Sequence, residues 1–394
     1  MHIQNNQLFL GKFSVKFLAE KFGTPLYVYE ASTIRQQYLK LKKNIIYPKL
    51  QIHYACKANT NILILKLLQK LGSKIEAVSK GEIILALKAD FKPKDIIYTS
   101  TSMTKEEMIF IVKSKVSINL DSLSQIELYG KINPNTKVGI RVNQGIGAGH
   151  HSHVITGGIM SKFGIPLEHL PKAIKLAKKY KLKIVRLHQH IGSNILDEKI
   201  LLKAFDKLLE TAVSFSDLES LDFGGGLGIP YLPKERDLNL KFLGLEMTKK
   251  MHSFSKKYGR ELVLILEPGR FLVAQSGFLL ATVTEIKNNP KRTFIGVDTG
   301  FNHLIRPAMY GSYHEIINAT KTKGITVKAD IVGNICESGD VFGRDRKISQ
   351  VKIGDIIAIL NAGAYGYVMA SQYNSRPLPN QILIDGKKII RLNK

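Results

Sequence analysis

Short apolar runs alternate with amphipathic stretches through residues 50–267. Each run has four to seven residues, which suits a buried strand, and the stretches between runs carry apolar residues at helical spacing. The predicted strands are Gln51–Cys56, Lys74–Val78, Asp95–Tyr98, Val116–Leu120, Lys137–Val142, Ile184–His190, Ser220–Phe223 and Leu262–Leu266. The predicted helices include Ile62–Leu71, Lys80–Ala89, Lys105–Val112, Ser122–Tyr129, Leu167–Lys179 and Lys199–Val213. Eight such units predict an α/β fold with a closed (β/α)8 TIM-like barrel, and a doubly wound open sheet is the alternative.

The pattern changes after about residue 275, where short β-like runs are separated by turn residues and helices are few. These runs are Gly277–Thr284, Thr293–Val297, Thr326–Val332, Ile356–Leu360 and Gln381–Ile384. Two earlier runs, Leu8–Phe9 and Leu26–Tyr29, precede the barrel pattern. We therefore predict a barrel domain over residues 30–275 and a mainly antiparallel β domain formed by residues 1–29 together with 276–394.

Composition places the chain among ordinary globular proteins. It has 394 residues, 44% of them hydrophobic, and no apolar stretch of the length that a membrane span requires. The N-terminal residues lack the pattern of a signal peptide. Cys56 and Cys336 are the only cysteines, so no disulfide framework is predicted and we expect a reducing, cytoplasmic location.

The chain is strongly basic, with 58 Lys and Arg residues against 32 Asp and Glu residues, which gives a net charge of +26. Such a charge is compatible with nucleic-acid or membrane-surface binding. The basic residues are spread out, however, largely over predicted helix faces such as Lys172–Lys183, and no RNA-binding motif occurs. We expect a generally basic surface and no nucleic-acid or membrane partner, while a nucleic-acid-binding protein remains an alternative hypothesis.

Residues with reactive or binding potential follow several of the predicted barrel strands. Lys57 follows the first, His190 ends the sixth, the glycine triplet Gly224–Gly226 follows the seventh, and Glu267 and Arg270 follow the eighth. In a (β/α)8 barrel these positions share the face that carries active sites. A lysine partly removed from water offers a nucleophilic amine, which is what Schiff-base chemistry with an aldehyde cofactor needs.

Each of these residues also has a simpler interpretation. The glycine triplet could be a tight turn or could let backbone N–H groups approach a phosphate. His190 could be a core histidine, a metal ligand or a ring that stacks on a planar cofactor. Glu267 follows an apolar run and should be partly buried, so it needs a positive partner such as Arg270 or a protonated pyridine nitrogen.

Three histidines, His150, His151 and His153, lie in the glycine-rich loop 145–158. They suggest a zinc site, but no cysteine accompanies them and no helical spacing places two on one face. We therefore predict that the protein binds no metal.

Three segments of the β domain also carry candidate side chains. Arg306 and Tyr310 follow a turn, the segment Cys336–Asp340 groups a thiol with two carboxyl groups, and Tyr365 lies in a loop of small residues. A cysteine thiol is mostly protonated at neutral pH, so Cys336 could donate a proton.

Six short motifs occur together in one order. They are Tyr54–Asn59, His190–Ser193, Gly224–Gly226, Glu267–Arg270, Cys336–Asp340 and Ala364–Gly366. In this set and order the chain resembles the fold-type III pyridoxal-phosphate-dependent decarboxylases over about residues 8–385. The resemblance implies a carboxy-lyase with pyridoxal 5'-phosphate as cofactor. Lys57 would hold the cofactor covalently, His190 would stack on its ring, and Glu267 would keep the pyridine nitrogen protonated.

The resemblance also implies the remaining site residues. Further cofactor contacts would be Ser193, Gly224, Gly225, Gly226, Gly269, Arg270 and Tyr365. Substrate contacts would be Arg270, Arg306, Tyr310, Glu337 and Tyr365. Cys336 and Glu337 would reach the active site across a homodimer interface, and Cys336 would join Lys57 and His190 as a catalytic residue.

Within this family the chain is most similar to the branch that converts meso-2,6-diaminopimelate to L-lysine and CO2 in lysine biosynthesis. Arginine suits bidentate binding of a carboxylate, so Arg270 and Arg306 could hold the second carboxylate of this substrate, and Glu337 its distal ammonium. The alternatives are a decarboxylase of D-ornithine, D-lysine or carboxynorspermidine, and a catalytically silent relative that binds the cofactor or a partner protein.

Overall fold

The computed structural model describes residues 1–149, 158 and 160–392, and these form two compact units. The barrel unit comprises Tyr38–Ile229 and Arg236–Phe271. The β unit comprises Met1–Gln37, Pro230–Glu235 and Leu272–Lys394. The domain boundaries predicted from the sequence, with the barrel at residues 30–275, remain a prediction about folding units.

Eight parallel strands form a closed barrel. In chain order they are Leu50–Ala55, Lys74–Ala77, Ile96–Thr99, Ser117–Leu120, Lys137–Asn143, Lys183–His188, Ser220–Asp222 and Val263–Leu266. The ring closes because the last strand pairs with the first, with Leu266 opposite Ile52. A short strand, Ile165–Pro166, pairs with the fifth strand outside the ring. The predicted (β/α)8 barrel is therefore confirmed, and the alternative of an open sheet is wrong.

Helices connect successive barrel strands. They are Ile62–Lys70, Lys80–Lys88, Lys105–Ser114, Leu123–Ile132, Leu170–Lys179, Glu198–Ala212 and Leu240–Tyr258, and Ala31–Asn44 precedes the first strand. Several begin at a side-chain cap: the hydroxyls of Ser79, Thr104 and Ser122 each accept a hydrogen bond from the backbone N–H three residues later. Such a cap stabilises a helix by about 1 kcal/mol, which fixes where these helices start. Among the described residues, none of the helices is both long enough and apolar enough for a membrane crossing.

The strand ends differ from the predicted ones at two site residues. The sixth strand ends at His188 and not at His190, because the neighbouring strand ends at Asp222, directly opposite His188. Lys57 lies within a short 3₁₀ turn, Cys56–Ala58, that begins where the first strand stops. Both side chains therefore lie on connections beyond the strands, the region where barrel enzymes carry their catalytic residues.

The β unit contains a large, mainly antiparallel sheet. Its order across the sheet is Val341–Ser349, Thr326–Val332, Arg292–Val297, Gly277–Asn289, Leu26–Glu30, Asn380–Asp385 and Lys388–Arg391. Ile356–Ile359 pairs with both Gly277–Asn289 and Ile316–Asn318. Two of the pairings are parallel, one of them between Leu26–Glu30 and Asn380–Asp385. The predicted second domain, mainly of antiparallel β structure, is confirmed.

The N-terminal residues add a small layer to the β unit. Strands His2–Gln4, Gln7–Leu10 and Phe13–Ser14 form a three-stranded sheet, and the helix Val15–Phe22 follows them. Their apolar side chains join one buried cluster with side chains of the large sheet: Leu8, Leu10, Val15, Leu18, Leu26, Val28, Phe278 and Leu280. Removing this apolar surface from water holds the N-terminus on the sheet.

Candidate active site

One end of the barrel brings together ionisable side chains from widely separated parts of the sequence. Parallel strands present their carboxyl ends on the same face of the barrel, and a cavity of about 350 Å³ opens there. Its lining includes Lys57, Glu76, Arg141, His188, His190 and Glu267. Volume and lining suit a small molecule with several polar groups.

Lys57 is held by a carboxylate inside this cavity. Its Nζ lies 2.7 Å from Oε2 of Glu76, which stands within the second strand and is buried. Burial raises the pKa of Glu76, and the Lys57 amine partly offsets that shift. About a third of the Lys57 side chain, 35%, stays exposed, so the amine is fixed in place and still accessible to a ligand.

His190 presents an uncharged ring to the cavity. Burial, followed by the charges of Lys57 and Arg141, holds its pKa well below the usual value. The backbone N–H of Gly225 donates to Nδ1 at 3.2 Å, so the ring hydrogen belongs on Nε2. The bond fixes both the tautomer and the orientation of a flat, neutral ring.

The glycine triplet is required by close backbone packing. A Cβ on Gly224 would lie 2.2 Å from the Gln189 carbonyl oxygen, and one on Gly225 would lie 2.5 Å from the carbonyl oxygen of Glu267. The Gly224 amide donates to Asp222 Oδ1 at 3.1 Å, while the Gly225 amide is taken by His190. Of the three amides, only that of Gly226 has no acceptor among the described residues.

Glu267 lies at the centre of a buried polar group. Its Oε2 is 3.1 Å from Nε2 of His188, and a carboxyl oxygen of Asp222 lies within 4.8 Å. Burial raises the pKa of Glu267, and the Lys57 amine opposes this shift most strongly. Burial also keeps His188 neutral by holding its pKa well below the usual value. Oε1 of Glu267 is buried and has no hydrogen-bond donor among the described residues.

Arg270 and Ser193 form the remaining polar pair of the barrel unit. The guanidinium of Arg270 donates to the Ser193 hydroxyl at 2.9 Å from Nη2, and the side chain is 5% exposed. Ser193 belongs to a two-residue strand that pairs with Ala148–Gly149. Gly269 is buried next to Arg270.

In the β unit, Arg306 is fully buried. Its Nη1 donates to the Tyr231 hydroxyl at 3.0 Å and lies 3.3 Å from Nε2 of His314, and Nη2 lies 3.3 Å from Ser312 Oγ. The guanidinium also lies 4.8 Å from the centre of the Tyr231 ring. A buried cation needs such partners, and these fix the direction of its planar fork.

The segment Cys336–Asp340 is, by contrast, exposed at its first residues. Cys336 and Glu337 are exposed, and the Tyr373 hydroxyl donates to Glu337 Oε1 at 2.6 Å. Buried Asp340 anchors the segment by accepting N–H groups of Phe301 at 2.6 Å and Ile335 at 2.7 Å. The segment is therefore anchored at Asp340, while the thiol of Cys336 and the carboxylate of Glu337 are accessible.

The other predicted residues are placed as follows. Tyr310 ends the short helix Arg306–Tyr310, and Tyr365 adopts a positive φ of 55°. His150, His151 and His153 lie outside the described residues, so the prediction of no metal site there remains a prediction.

A family model described as "Pyridoxal-dependent decarboxylase, pyridoxal binding domain" matches residues 31–274, which is more than half of the chain. The chain belongs to the pyridoxal-dependent decarboxylases. The carboxy-lyase class and the cofactor predicted from the motifs agree with this family.

Relatives within this family cover almost all of the chain. Diaminopimelate decarboxylase of Methanothermobacter thermautotrophicus is 43% identical over 97% of this chain and 91% of its own length. The Escherichia coli K12 enzyme of the same name is 37% identical, covering 93% and 90%. The crystal structure of diaminopimelate decarboxylase from M. jannaschii in complex with L-lysine is 35% identical, with a TM-score of 0.92 and coverage of 100% and 94%.

The barrel site fits the cofactor of the pyridoxal-dependent decarboxylases. Glu267 Oε1 is a buried acceptor without a donor in the described part of the chain, which suits a protonated ring nitrogen. The cavity also contains an accessible lysine amine and a neutral imidazole of fixed orientation. The Gly226 amide and the Ser193 hydroxyl are hydrogen-bonding groups of the kind that bind phosphate.

Sequence reasoning missed four residues of this site: Glu76, Arg141, His188 and Asp222. All four lie within predicted apolar strands, where a charged or imidazole side chain is unusual and must face a polar interior. A polar residue inside an apolar run is therefore the signal that could have identified them.

Proposed function

We propose that this chain is a cytoplasmic enzyme that decarboxylates meso-2,6-diaminopimelate to L-lysine and CO2 with pyridoxal phosphate. The observation that carries the proposal is the placement of Lys57 and Glu267 on one cavity, within a fold whose relatives at 35–43% identity are named for this reaction. The cytoplasmic location is supported by two cysteines that are both free thiols.

Pyridoxal phosphate, when bound, supplies an electron-withdrawing ring that stabilises negative charge at the substrate carbon losing CO2. In this proposal Lys57 would hold the cofactor covalently through its side-chain amine. Glu267 accepts a hydrogen bond from the ring nitrogen and keeps it protonated. His190 packs against the ring, and its neutral state avoids a second cation beside that nitrogen.

The phosphate would be bound by Ser193 and the glycine triplet. Because the amides of Gly224 and Gly225 already bind Asp222 and His190, we assign the direct amide contact to Gly226. Gly224 and Gly225 act by allowing close backbone packing. Gly269, Arg270 and Tyr365 complete the proposed cofactor contacts.

Substrate selection would depend on a second carboxylate. The guanidinium of Arg306 is buried, and two hydroxyls and an imidazole are among the groups that orient it. A substrate carboxylate would supply a negative charge and match the planar fork of the guanidinium. Arg270, Tyr310 and Tyr365 are the other proposed substrate contacts. A diamine-forming substrate has no distal carboxylate with which this guanidinium could pair.

We further propose a homodimer in which each active site uses Cys336 and Glu337 of the other chain. The exposure of both side chains on an anchored segment supports this arrangement. Cys336 would return a proton to the carbon that lost CO2, and Glu337 would bind the distal ammonium of the substrate. Burial in the interface would remove both groups from water.

Product analysis tests the reaction and the substrate together. The purified protein, loaded with pyridoxal phosphate, is offered meso-diaminopimelate beside L- and D-ornithine, L- and D-lysine, arginine and carboxynorspermidine, and CO2 and amines are measured. We expect lysine from diaminopimelate alone. Turnover of another substrate would retain the decarboxylase but contradict the roles of Arg306 and Glu337. A loaded protein without any turnover would indicate a silent relative.

A further inference from the structure

Asp222 is a buried acid that has no role in the proposed function. It lies beside Glu267. It ends the seventh barrel strand and lies opposite Ile265 of the eighth, two residues before Glu267. Asp222 is 0% exposed and Glu267 is 4% exposed. An oxygen of one carboxyl group lies within 4.8 Å of an oxygen of the other. Two carboxyl groups are thus buried side by side under the cavity.

The described hydrogen-bond donors around this pair bind one oxygen of each acid and leave the other oxygen of each without a donor. Asp222 Oδ1 accepts from the Gly224 amide, and Glu267 Oε2 lies 3.1 Å from His188 Nε2. Asp222 Oδ2 and Glu267 Oε1 are both buried and have no donor among the described residues. Two ionised carboxylates in this position would repel each other, whereas one retained proton would give a hydrogen bond.

The surrounding charges favour Asp222 as the acid that retains the proton. The pKa of the Asp222 carboxyl group is raised well above its usual value, first by burial and then by the charge of Glu267. The partly buried guanidinium of Arg186 lowers the pKa of Asp222, but less than burial and Glu267 raise it. Glu267 has three cations to stabilise its ionised form, those of Lys57, Arg141 and Arg186.

We propose that Asp222 is a positioning residue that stays protonated at neutral pH and donates a hydrogen bond to Glu267, which remains the ionised partner of the cofactor ring. The inference rests on the proposed role of Glu267. A carboxylate can accept about four hydrogen bonds, so Glu267 can bind Asp222, His188 and a ring nitrogen together. The same Asp222 side chain binds the Gly224 amide through its other oxygen.

Infrared difference spectroscopy of the full-length protein detects the proton directly. One carboxyl carbonyl band of the wild type at neutral pH should be lost in Asp222→Asn, while the contribution of Glu82, whose pKa is raised to about 7 by burial, should remain. Asp330→Asn is the matched control, because Asp330 is also buried but is ion-paired to Arg292 at 2.7 Å. We expect that control to keep the band. Because the spectra need no turnover, they separate this inference from the proposed reaction.

Cofactor binding then tests the hydrogen bond. Asn at position 222 can still donate to Glu267 and accept from Gly224, so Asp222→Asn should bind pyridoxal phosphate within about twofold of the wild type. Asp222→Ala removes the donor and should weaken binding about tenfold. It should also make the absorbance of the bound cofactor depend on pH near neutrality. Without the hydrogen bond from Asp222, Glu267 should take up a proton in this pH range.

The proposal is overturned if the wild type lacks a carboxyl band that Asp222→Asn removes. It is also overturned if Asp222→Asn weakens cofactor binding as much as Asp222→Ala does. Should Asp222→Ala fail to fold, the comparison of wild type and Asp222→Asn by infrared spectroscopy decides alone.

Discussion

The acidic groups of the barrel site are buried, whereas the ionisable groups of the segment Cys336–Asp340 in the β unit are mostly exposed to solvent. In the barrel unit, Glu76, Asp222 and Glu267 are buried together, and their pKa values are raised first of all by burial. In the β unit, Cys336 and Glu337 are exposed on a segment that buried Asp340 anchors. The pKa shifts of the three buried acids come from the fold of the barrel unit itself. Cys336 and Glu337 would be shielded from water only if another surface covered them.

This difference indicates which steps one chain can perform unaided. In the proposed function, binding of the cofactor uses a fixed amine and a buried carboxylate, and the barrel unit contains both. Controlled return of a proton needs a donor shielded from bulk water, and an exposed thiol does not meet that condition alone. We therefore expect changes in the barrel cluster to act within one chain and changes in the segment to act between chains.

The largest expected effect comes from the barrel amine. Lys57→Ala should abolish the covalently bound chromophore and lower kcat by about 10³-fold or more, because Lys57 is the one lysine among the described residues that line the cavity. Absorbance spectra and CO2 release measure both effects. Lys74→Ala, which removes a surface-paired lysine of the second barrel strand, is the control and should keep both. A fully active Lys57→Ala protein would refute the proposed mechanism.

Hybrid dimers test the division between the two regions. After subunit exchange, an equal mixture of Lys57→Ala and Cys336→Ala should recover about a quarter of wild-type activity, since half of the dimers are hybrids with one intact site. An equal mixture of Lys57→Ala and Glu267→Ala should stay inactive, because both residues act from the same chain. Failure of the first mixture, despite proven exchange, would contradict the shared site.

Arg306 extends the comparison to a buried group of the β unit. Arg306→Ala should raise KM for diaminopimelate by about 10- to 100-fold, the size expected for loss of a charge-assisted hydrogen bond. The cofactor spectrum should not change. Arg346→Ala, in the same unit, removes an arginine that stacks on Tyr313 and should leave KM unchanged. Equal effects of the two variants on KM would remove the substrate role of Arg306.

The smallest effect concerns Glu82, the side chain whose pKa is raised to about 7, first by burial and then by the charge of Glu76. The folded protein binds its proton more tightly, so folding stability should fall as pH rises from 4.5 to about 7. Between about pH 5 and pH 8, the free energy of unfolding of Glu82→Gln should rise by roughly 2–3 kcal/mol relative to that of the wild type. Urea unfolding at both pH values measures this, with exposed Glu106→Gln as the unaffected control.

The barrel was predictable because its strands are short, largely buried runs that contain apolar residues and alternate with amphipathic helices. Its predicted strands start and end within two residues of the observed ones. Strand Val341–Ser349 of the β unit was not predicted, since its middle, Arg344–Lys347, is charged and carries no apolar alternation. Periodicity identifies strands that bury a face and misses those that lie at the edge of a sheet.

The site was predictable only in part for a related reason. Lys57, His190 and Glu267 follow strands, where the chain order of the motifs draws attention to them. Asp222 lies inside a short predicted strand, and its neighbour Glu267 is supplied by the next strand. No sequence pattern states that two acids from different strands share one buried space. Likewise, nothing in the sequence links Arg306 with Tyr231, which precedes it by many elements.

The closure of the barrel has a consequence for how the protein is made. Lys57 follows the first strand and Glu267 follows the last, and these two strands meet at the seam of the ring. More than half of the chain separates the two residues, so a ribosome exposes the amine long before the carboxylate. Folding must bring distant ends together before the full set of cofactor groups exists. A chain that binds the cofactor through both Lys57 and Glu267 must therefore have closed its ring of strands, and a chain that stops before the eighth strand lacks the carboxylate.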